Sequence, residues 1–363
     1  MPRPISVTIH MEALRHNLAR MREAAHGRDV WAVVKANAYG HGLNNAVAAF
    51  ADADGLATID ICDAVRARGC GWKKRILLLE GFFEKDDIKD LEKYAIETVV
   101  HSQWMIDVLR NAAPLKNVRV HIKVNSGMNR LGFLPLEVPA VQKMLAAIKG
   151  CEVMGVVTHF ANAEPSYLAE RPASVQKQLT RLGRLSQLEG GVCLANTAAL
   201  LFHPEVTGDA VRAGIGLYGV SPDSHITSKE LNIRPAMTLA AKIIAVQEIA
   251  PGEAVGYGSR WIAKRASRIG VVACGYADGY PRSMPDGAPV WVEGRRAPLV
   301  GSVSMDMLEI DITDVPEADV GSLVELWGEH IGVNELAGLV GTIGYELLCA
   351  LAPRVPVRVD GDQ

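Results

Sequence analysis

The sequence predicts an α/β chain: a (β/α)8 TIM-type barrel over residues 10–235, then a mostly β C-terminal domain over 236–363. Three observations carry that expectation. Eight short apolar runs recur before residue 235, helical periodicity fills most of the gaps between them, and the rhythm changes after Pro235. Eight buried runs alternating with helices over about 225 residues match the arithmetic of a closed parallel barrel. An open doubly wound sheet also alternates, but it usually shows a GxGxxG turn after its first strand. Here the first run is followed by NAYGHG.

The elements follow in order. Met11, Leu14, Leu18 and Met21 fall at helical spacing. The eight runs are VWAVVK (30–35), GLATI (55–59), RILLLE (75–80), IETVV (96–100), VRVHIKV (118–124), VMGVVTH (153–159), GVCLAN (191–196) and DAVRAG (209–214). Between them DICDAVRARG (60–69), SQWMIDVLRNAA (102–113) and ASVQKQLTRLGRL (173–185) read as helices. Ser102 is placed to cap the second, and Val175, Leu179 and Leu182 share a face of the third. After Pro235 the segments 239–249, 268–275, 288–292, 297–304, 307–312 and 322–328 are strand-like and punctuated by Gly, Pro and Asp. One helical stretch is expected near 333–351.

Bulk composition narrows the function. The 363 residues are 49% hydrophobic and 22% charged with a formal charge of −3, an ordinary globular balance that points to no nucleic acid or anionic membrane. No run approaches the roughly 18–20 apolar residues a spanning helix needs. The start MPRPISVTIH has no apolar h-region, so no secretory signal is expected. Cysteines at 62, 70, 151, 193, 274 and 349 show no CxxC or Cys/His metal spacing. They suit a reducing compartment, and the cytoplasm is the expected location.

The conspicuous polar residues fall where a barrel places its chemistry, after the C-terminal ends of its strands. Lys35 ends the first run, Arg130 follows the fifth, and His159 ends the sixth. Asn196 and Thr197 follow the seventh, and Arg212 precedes Gly214 and Ile215 in the eighth. Singly each has an ordinary reading: a core histidine, a paired arginine, a helix cap, a glycine-rich turn. Together they suggest one chemistry. A lysine buried at a strand end has a lowered pKa and can condense with an aldehyde. A helix start at Thr197 with free N–H groups near Gly214 suits a phosphate. An aldehyde-bearing phosphate that needs a lysine is pyridoxal phosphate.

At this point the chain resembles the alanine racemases of the pyridoxal-phosphate barrel type along essentially its whole length. AVVKANAYGHG (32–42) resembles the family's cofactor-lysine signature. NSGMNRLG (125–132), THFANAE (158–164), LANTAAL (194–200), VRAGIGLYG (211–219), AVGYG (254–258), GYADGYPR (275–282), SMD (304–306) and YELLC (345–349) match as well. The resemblance implies that Lys35 carries pyridoxal 5'-phosphate as an aldimine. Tyr39, Thr197, Gly214, Ile215 and Tyr345 would hold the phosphate, beside Asn196. Arg212 would face the pyridine nitrogen with His159 bonded behind it. Arg130 and Met305 would receive the carboxylate of alanine, and Tyr276 and Arg282 would line the entrance. Tyr257 would enter from a second subunit, which makes a homodimer with shared sites. Lys123 stands where some members carry a carbamylated lysine; by itself it reads as a solvated strand-end lysine. The family also joins the first strand, near 3–9, to the β domain.

The residue types suit racemisation. A proton must leave one face of Cα and return on the other, which two opposed groups such as Lys35 and Tyr257 can do. An arginine stays protonated, so Arg212 cannot take the ring nitrogen's proton, and side reactions that need a deep electron sink are suppressed. A barrel decarboxylase of basic amino acids would want an acidic partner there and a cysteine–aspartate substrate motif. A single-domain cofactor carrier would not need the β domain. A broader-specificity racemase stays open, although such relatives are typically exported. Ser302 and Cys193 depart from many relatives, which carry an entrance arginine and a histidine; neither is expected to touch the reacting groups.

Overall fold

The structure is a computed structural model that describes residues 3–167, 171–183 and 190–360. Arg184 and Leu185 of the third expected helix, and residues 361–363, lie outside the described residues. Strand β1 (Ile5–His10) leads into a helix, Met11–Ala25. Eight strands follow: β2 (Asp29–Val33), β3 (Gly55–Thr58), β4 (Arg75–Leu78), β5 (Glu97–Val100), β6 (Val118–Lys123), β7 (Cys151–Val157), β8 (Gly191–Cys193) and β9 (Ala210–Ala213). They pair in chain order, and β9 pairs in parallel with β2, so the sheet closes. This is the expected barrel, with one strand in each of the eight apolar runs.

The barrel strands are short and apolar on both faces because side chains fill the inside and helices cover the outside. All four residues of β3 and of β5 are buried. The outer helices start at local caps. Asp60 Oδ1 accepts the Cys62 N–H at 2.7 Å ahead of helix Ile61–Gly69. Ser174 accepts the Lys177 N–H ahead of helix Val175–Leu182. Ser102 corrects the sequence expectation: it stands at the N-cap position of Gln103–Ala112 but makes no side-chain cap bond. In helix Val175–Leu182 the buried positions are Val175, Gln178 and Leu182, so a glutamine takes the inward place expected of Leu179.

Charge is buried at the N-terminal end of the barrel. Glu97, 2% exposed, accepts Arg75 Nε at 2.7 Å and His121 Nε2 at 2.7 Å, and Arg75 lies 4.6 Å over the Trp31 ring. Burial alone would raise the Glu97 pKa, but the bonds from His121 and Arg75 outweigh it and hold the carboxyl at about 2. A charge cluster at this end of a barrel, away from the loops that carry chemistry, serves stability rather than catalysis.

The chain divides into two compact units. One comprises Arg15–Ala38 and Gly42–Leu217, the barrel. The other takes the chain up to Leu14, Tyr39–His41 and the residues from Tyr218 onward. Its strands are β1 with β10 (Met237–Ile249), β11 (Ala254–Val255), β12 (Trp261–Ile262), β13 (Ser267–Val272), β14 (Pro289–Val292), β15 (Arg295–Val300), β16 (Leu308–Asp311), β17 (Leu323–Trp327) and β18 (Val357–Asp360). Eight of these form one sheet in the order β13-β16-β15-β14-β17-β10-β1-β18. The long β10 shifts register between Ile243 and Ala245 and pairs β13 as well, which closes six strands into a ring. Strand β1 lies between β10 and β18. Two helices, Val333–Leu339 and Gly344–Cys349, replace the single stretch expected near 333–351. Gly341, at φ 72°, ends the first, and Thr342 N–H returns to Ala337 O at 2.9 Å. Among the described residues no helix is long and apolar enough to cross a membrane.

The Glu97 cluster generates a pH-dependent prediction. A carboxyl whose folded pKa lies below its unfolded value of about 4.3 stabilises the fold above that value, and the contribution is lost as pH falls through about 2. Glu97→Gln should cost about 3 kcal/mol at neutral pH. In denaturant titrations the gap between the two proteins should narrow below about pH 4; a constant gap would contradict the assignment.

Candidate active site

The strand ends and loops at the C-terminal end of the barrel carry Lys35, Arg130, His159, Asn196, Thr197 and Arg212. Strand β2 stops at Val33, and Lys35, half-buried rather than buried, opens an unusual turn. Ala36, Asn37, Ala38 and Tyr39 all have φ between 51° and 56°. Left-handed backbone costs roughly 1–2 kcal/mol for each such residue, so local bonds must compensate. Ala38 N–H donates to Val34 O at 2.9 Å, Gly42 N–H to Asn37 O at 2.9 Å, and Leu43 N–H to Asn37 Oδ1 at 3.0 Å.

Arg212 on β9 is 4% exposed and bonded to the ends of two neighbouring strands. Nη1 donates to Cys193 O at 2.8 Å and to Cys193 Sγ at 3.1 Å. Nη2 donates to Thr158 O at 2.5 Å, to Leu194 O at 3.3 Å and to His159 Nδ1 at 3.5 Å. The Nε–H is the one guanidinium donor with no partner among the described residues. Cys193 thereby corrects an expectation: it does touch a functional group, through both its carbonyl and its sulfur.

His159 is kept neutral. Burial first, then the charges of Arg212, Lys123, Arg130 and Lys35, lower its pKa well below the ordinary value. A neutral ring can accept a hydrogen bond from Arg212 at Nδ1. Behind it lies a polar network that sequence reading missed. Gln178, fully buried, donates to His159 O at 3.0 Å and to Ser126 Oγ at 2.7 Å, and it accepts the Ala161 N–H at 2.8 Å. No pattern in the sequence marks Gln178, because one polar residue at a helical position is unremarkable.

Lys123 ends β6 and is 6% exposed, so it is not the solvated lysine of the ordinary reading. Burial, then Arg212 and Arg130, push its amine down to about 7. A small cavity of about 10 Å³ is bounded by Lys123, Asn125, Ser126, Arg130 and His159. Arg130 is exposed on a loop folded by Asn125, whose Oδ1 accepts the Gly127 and Asn129 N–H groups at 3.1 and 3.0 Å. Among the described residues no carboxylate lies within ion-pair distance of Lys123, Arg130 or Arg212. Positive charge is therefore left for an anionic ligand.

Asn196 caps helix Thr197–Phe202 by accepting the Ala199 N–H at 2.9 Å. The Gly214 N–H is not free as expected: it donates to Thr197 Oγ1 at 2.8 Å. Ile215 opens a single 3-10 turn, Ile215–Tyr218, whose first N–H groups need outside acceptors.

The second unit holds the remaining candidates. Tyr39 and Tyr218 rings lie 4.7 Å apart, Tyr345 is 6.0 Å from Tyr39, and His41 is 4.7 Å from Tyr218. Burial raises the pKa of both Tyr39 and Tyr218, so both phenols stay protonated donors. Tyr218 was not assigned from sequence, although it lies within the quoted VRAGIGLYG. Tyr257 stands on a turn between β11 and β12 and is 73% exposed. Ser302 touches this turn after all, donating to Tyr257 O at 3.3 Å. Met305 is 52% exposed, and its carbonyl accepts the Ala277 N–H at 3.0 Å. Its own N–H has no partner among the described residues. Tyr276 and Arg282 are both exposed in the neighbouring loop.

Known proteins match the chain over nearly its full length. The family model for the alanine racemase N-terminal domain matches residues 9–222, and that for the alanine racemase C-terminal domain matches 236–359. An alanine racemase of Burkholderia mallei is 48% identical over 362 residues, 99% of this chain and 100% of that protein. A catabolic alanine racemase of Klebsiella aerogenes is 47% identical over 98% of this chain and 99% of its own. The crystal structure of the biosynthetic alanine racemase from Pseudomonas aeruginosa superposes with a TM-score of 0.94 at 43% identity, covering 99% of each chain.

Proposed function

The chain belongs to the alanine racemase family, and from that premise we propose that it interconverts L-alanine and D-alanine with pyridoxal 5'-phosphate, using Lys35 and Tyr257 as its two acid/base groups. The observation that carries the reading is the set of cations without carboxylate partners around a neutral His159, with the Arg212 Nε–H left open. Those residues fit this cofactor and its substrate: the cofactor's phosphate and the substrate's carboxylate meet positive charge, and the cofactor's aromatic nitrogen can accept from Nε. When bound, the cofactor supplies an aldehyde that an amine captures and a conjugated ring that acidifies the α-proton.

The chain's own residues divide the remaining tasks. Thr197, Gly214, Ile215, Tyr39 and Tyr345 offer donors to phosphate, beside the cap residue Asn196; Thr197 Oγ1 gives up its bond from Gly214 N–H or shares it. Arg212 donates to the ring nitrogen without accepting its proton, while the bonds to Thr158, Cys193 and Leu194 keep the guanidinium from turning. Lys35 Nζ moves the proton on one face of Cα, and the Tyr257 phenol moves it on the other. Arg130 and the open Met305 N–H receive the substrate carboxylate, and Tyr276 and Arg282 flank its way in.

Lys123 is read as a carbamate. With its amine near pKa 7, a neutral fraction can add carbon dioxide and release a proton, and the anion formed would bind Arg130 by charge-assisted bonds. Tyr257 is read as serving the partner subunit's site in a C2 homodimer, which suits a phenol so far exposed on its own chain. The six free cysteines suit a reducing cytoplasm.

Three outcomes test this reading. Chiral chromatography of products from L-alanine, L-serine and L-arginine should show D-alanine formed fastest, and borohydride should fix the cofactor to Lys35. Equal turnover of the three would replace alanine racemase with a broader racemase, and protein that takes up no cofactor would end the proposal.

Incubation with carbon-13 bicarbonate should give a carbamate carbon resonance that Lys123→Met removes. A spectrum without that signal at neutral pH returns Lys123 to a bare amine.

Mixing inactive Lys35→Ala with inactive Tyr257→Phe subunits should restore part of the activity, because some mixed sites contain both groups. Mixed dimers that form and stay inactive would contradict shared sites.

A further inference from the structure

We infer that Asp278, with Arg3 and Arg354 from the two ends of the chain, positions the 304–306 loop so that the Met305 N–H stands ready for a substrate carboxylate. The inference rests on the reading of Met305 given above. The three are positioning residues, since none is placed against the reacting atoms.

Asp278 ends the Tyr276–Asp278 turn and is fully buried. Its Oδ1 accepts Arg3 Nη1 at 2.8 Å and Arg354 Nε at 2.7 Å. Its Oδ2 accepts the Gly275 N–H at 2.9 Å. Two guanidinium groups on one carboxylate leave positive charge over, and both are aimed at Asp306, the residue after Met305. Arg354 Nη2 donates to Asp306 Oδ1 at 2.7 Å, and Arg3 Nη2 donates to Asp306 O at 2.5 Å. One buried acid therefore fixes two arginines, and the arginines hold both the side chain and the backbone of Asp306.

The other flank of the loop is held by the same turn. Tyr276 N–H donates to Ser304 O, and Ala277 N–H to Met305 O, each at 3.0 Å. This contact requires a glycine at 275: a Cβ there would stand 2.4 Å from Ser304 O and 2.5 Å from Asp306 N. With its carbonyl committed to Ala277, the Met305 peptide is oriented on one side by the turn and on the other by Asp306. The segment before β18 is tied in as well, through Ala352 N–H to Asp278 O at 3.1 Å. A forked guanidinium can bridge two carboxylates at once, whereas an ammonium cannot reproduce that geometry.

A purely structural role predicts lost stability alone; positioning predicts a selective loss of carboxylate recognition. The test compares the unaltered holoenzyme with Arg354→Met and Arg354→Lys. The readouts are KM and kcat for both alanine enantiomers, competitive inhibition by propionate, cofactor absorbance and Tm. In Arg354→Met, KM and the propionate inhibition constant should rise about tenfold while kcat changes less than about threefold and cofactor absorbance is kept. Arg354→Lys should recover only part of the loss. Should Arg354→Met fold poorly, Asp306→Ala removes the acceptor of the same contact from the other side and should show the same split. Unchanged KM and propionate inhibition in a folded variant would overturn the inference, as would a loss confined to kcat. If propionate fails to compete with alanine in the unaltered enzyme, the reading of Met305 itself falls and takes the inference with it.

Discussion

Arg212 carries a charge that it cannot lose, and the barrel holds that charge in place with carbonyl groups from two adjacent strand ends. Burial, and after it this charge, keeps the His159 ring neutral and pushes the Lys123 amine down to about 7. A buried arginine with no carboxylate partner would be costly in an empty core; here the cost is offset by carbonyl dipoles and by whatever anion the site accepts. In the proposed reading the same permanent charge would limit the chemistry, because a ring nitrogen facing it would receive a hydrogen bond and give up no proton.

Strain is concentrated at the neighbouring loop. The run from Ala36 to Tyr39 keeps L-residues in a conformation that normally belongs to glycine, and short-range bonds, two of them to Asn37, help hold it. Strained backbone of this kind persists where the surroundings over-determine it, and it clusters at functional sites. The consequence for Lys35 is a fixed point of departure at the end of β2, set by the backbone that follows it.

In the other unit one loop serves several tasks. Residues 301–306 hold the Tyr257 carbonyl through Ser302, present Met305, and end at the arginine-bound Asp306. At the start of the loop, Asp286 accepts the Gly301 N–H at 2.8 Å, and Arg260 donates to Gly301 O. A residue anchored at both ends of so short a segment has little freedom, which suits groups that must meet a small substrate within a few tenths of an ångström.

The eight strands and most of their helices were legible in the sequence because burial on both faces forces short apolar runs and helical periodicity is local, whereas the cap expected at Ser102 did not form. The candidate residues were legible because they belong to contiguous motifs at strand ends. What sequence could not show depends on long-range approach. Gln178 is fully buried under His159 although its position reads like any polar helix residue, and Cys193 receives the Arg212 donors although nothing local marks it. The burial that lowers the Lys123 pKa, the Thr197 hydroxyl that occupies the Gly214 N–H, and the meeting of Arg3 with Arg354 on Asp278 are likewise tertiary. Periodicity is written within a few residues of chain, so sequence alone determined the barrel and the order of its motifs. Hydrogen-bond partners and desolvation come from residues between 17 and 275 positions apart, and only the folded structure decided them.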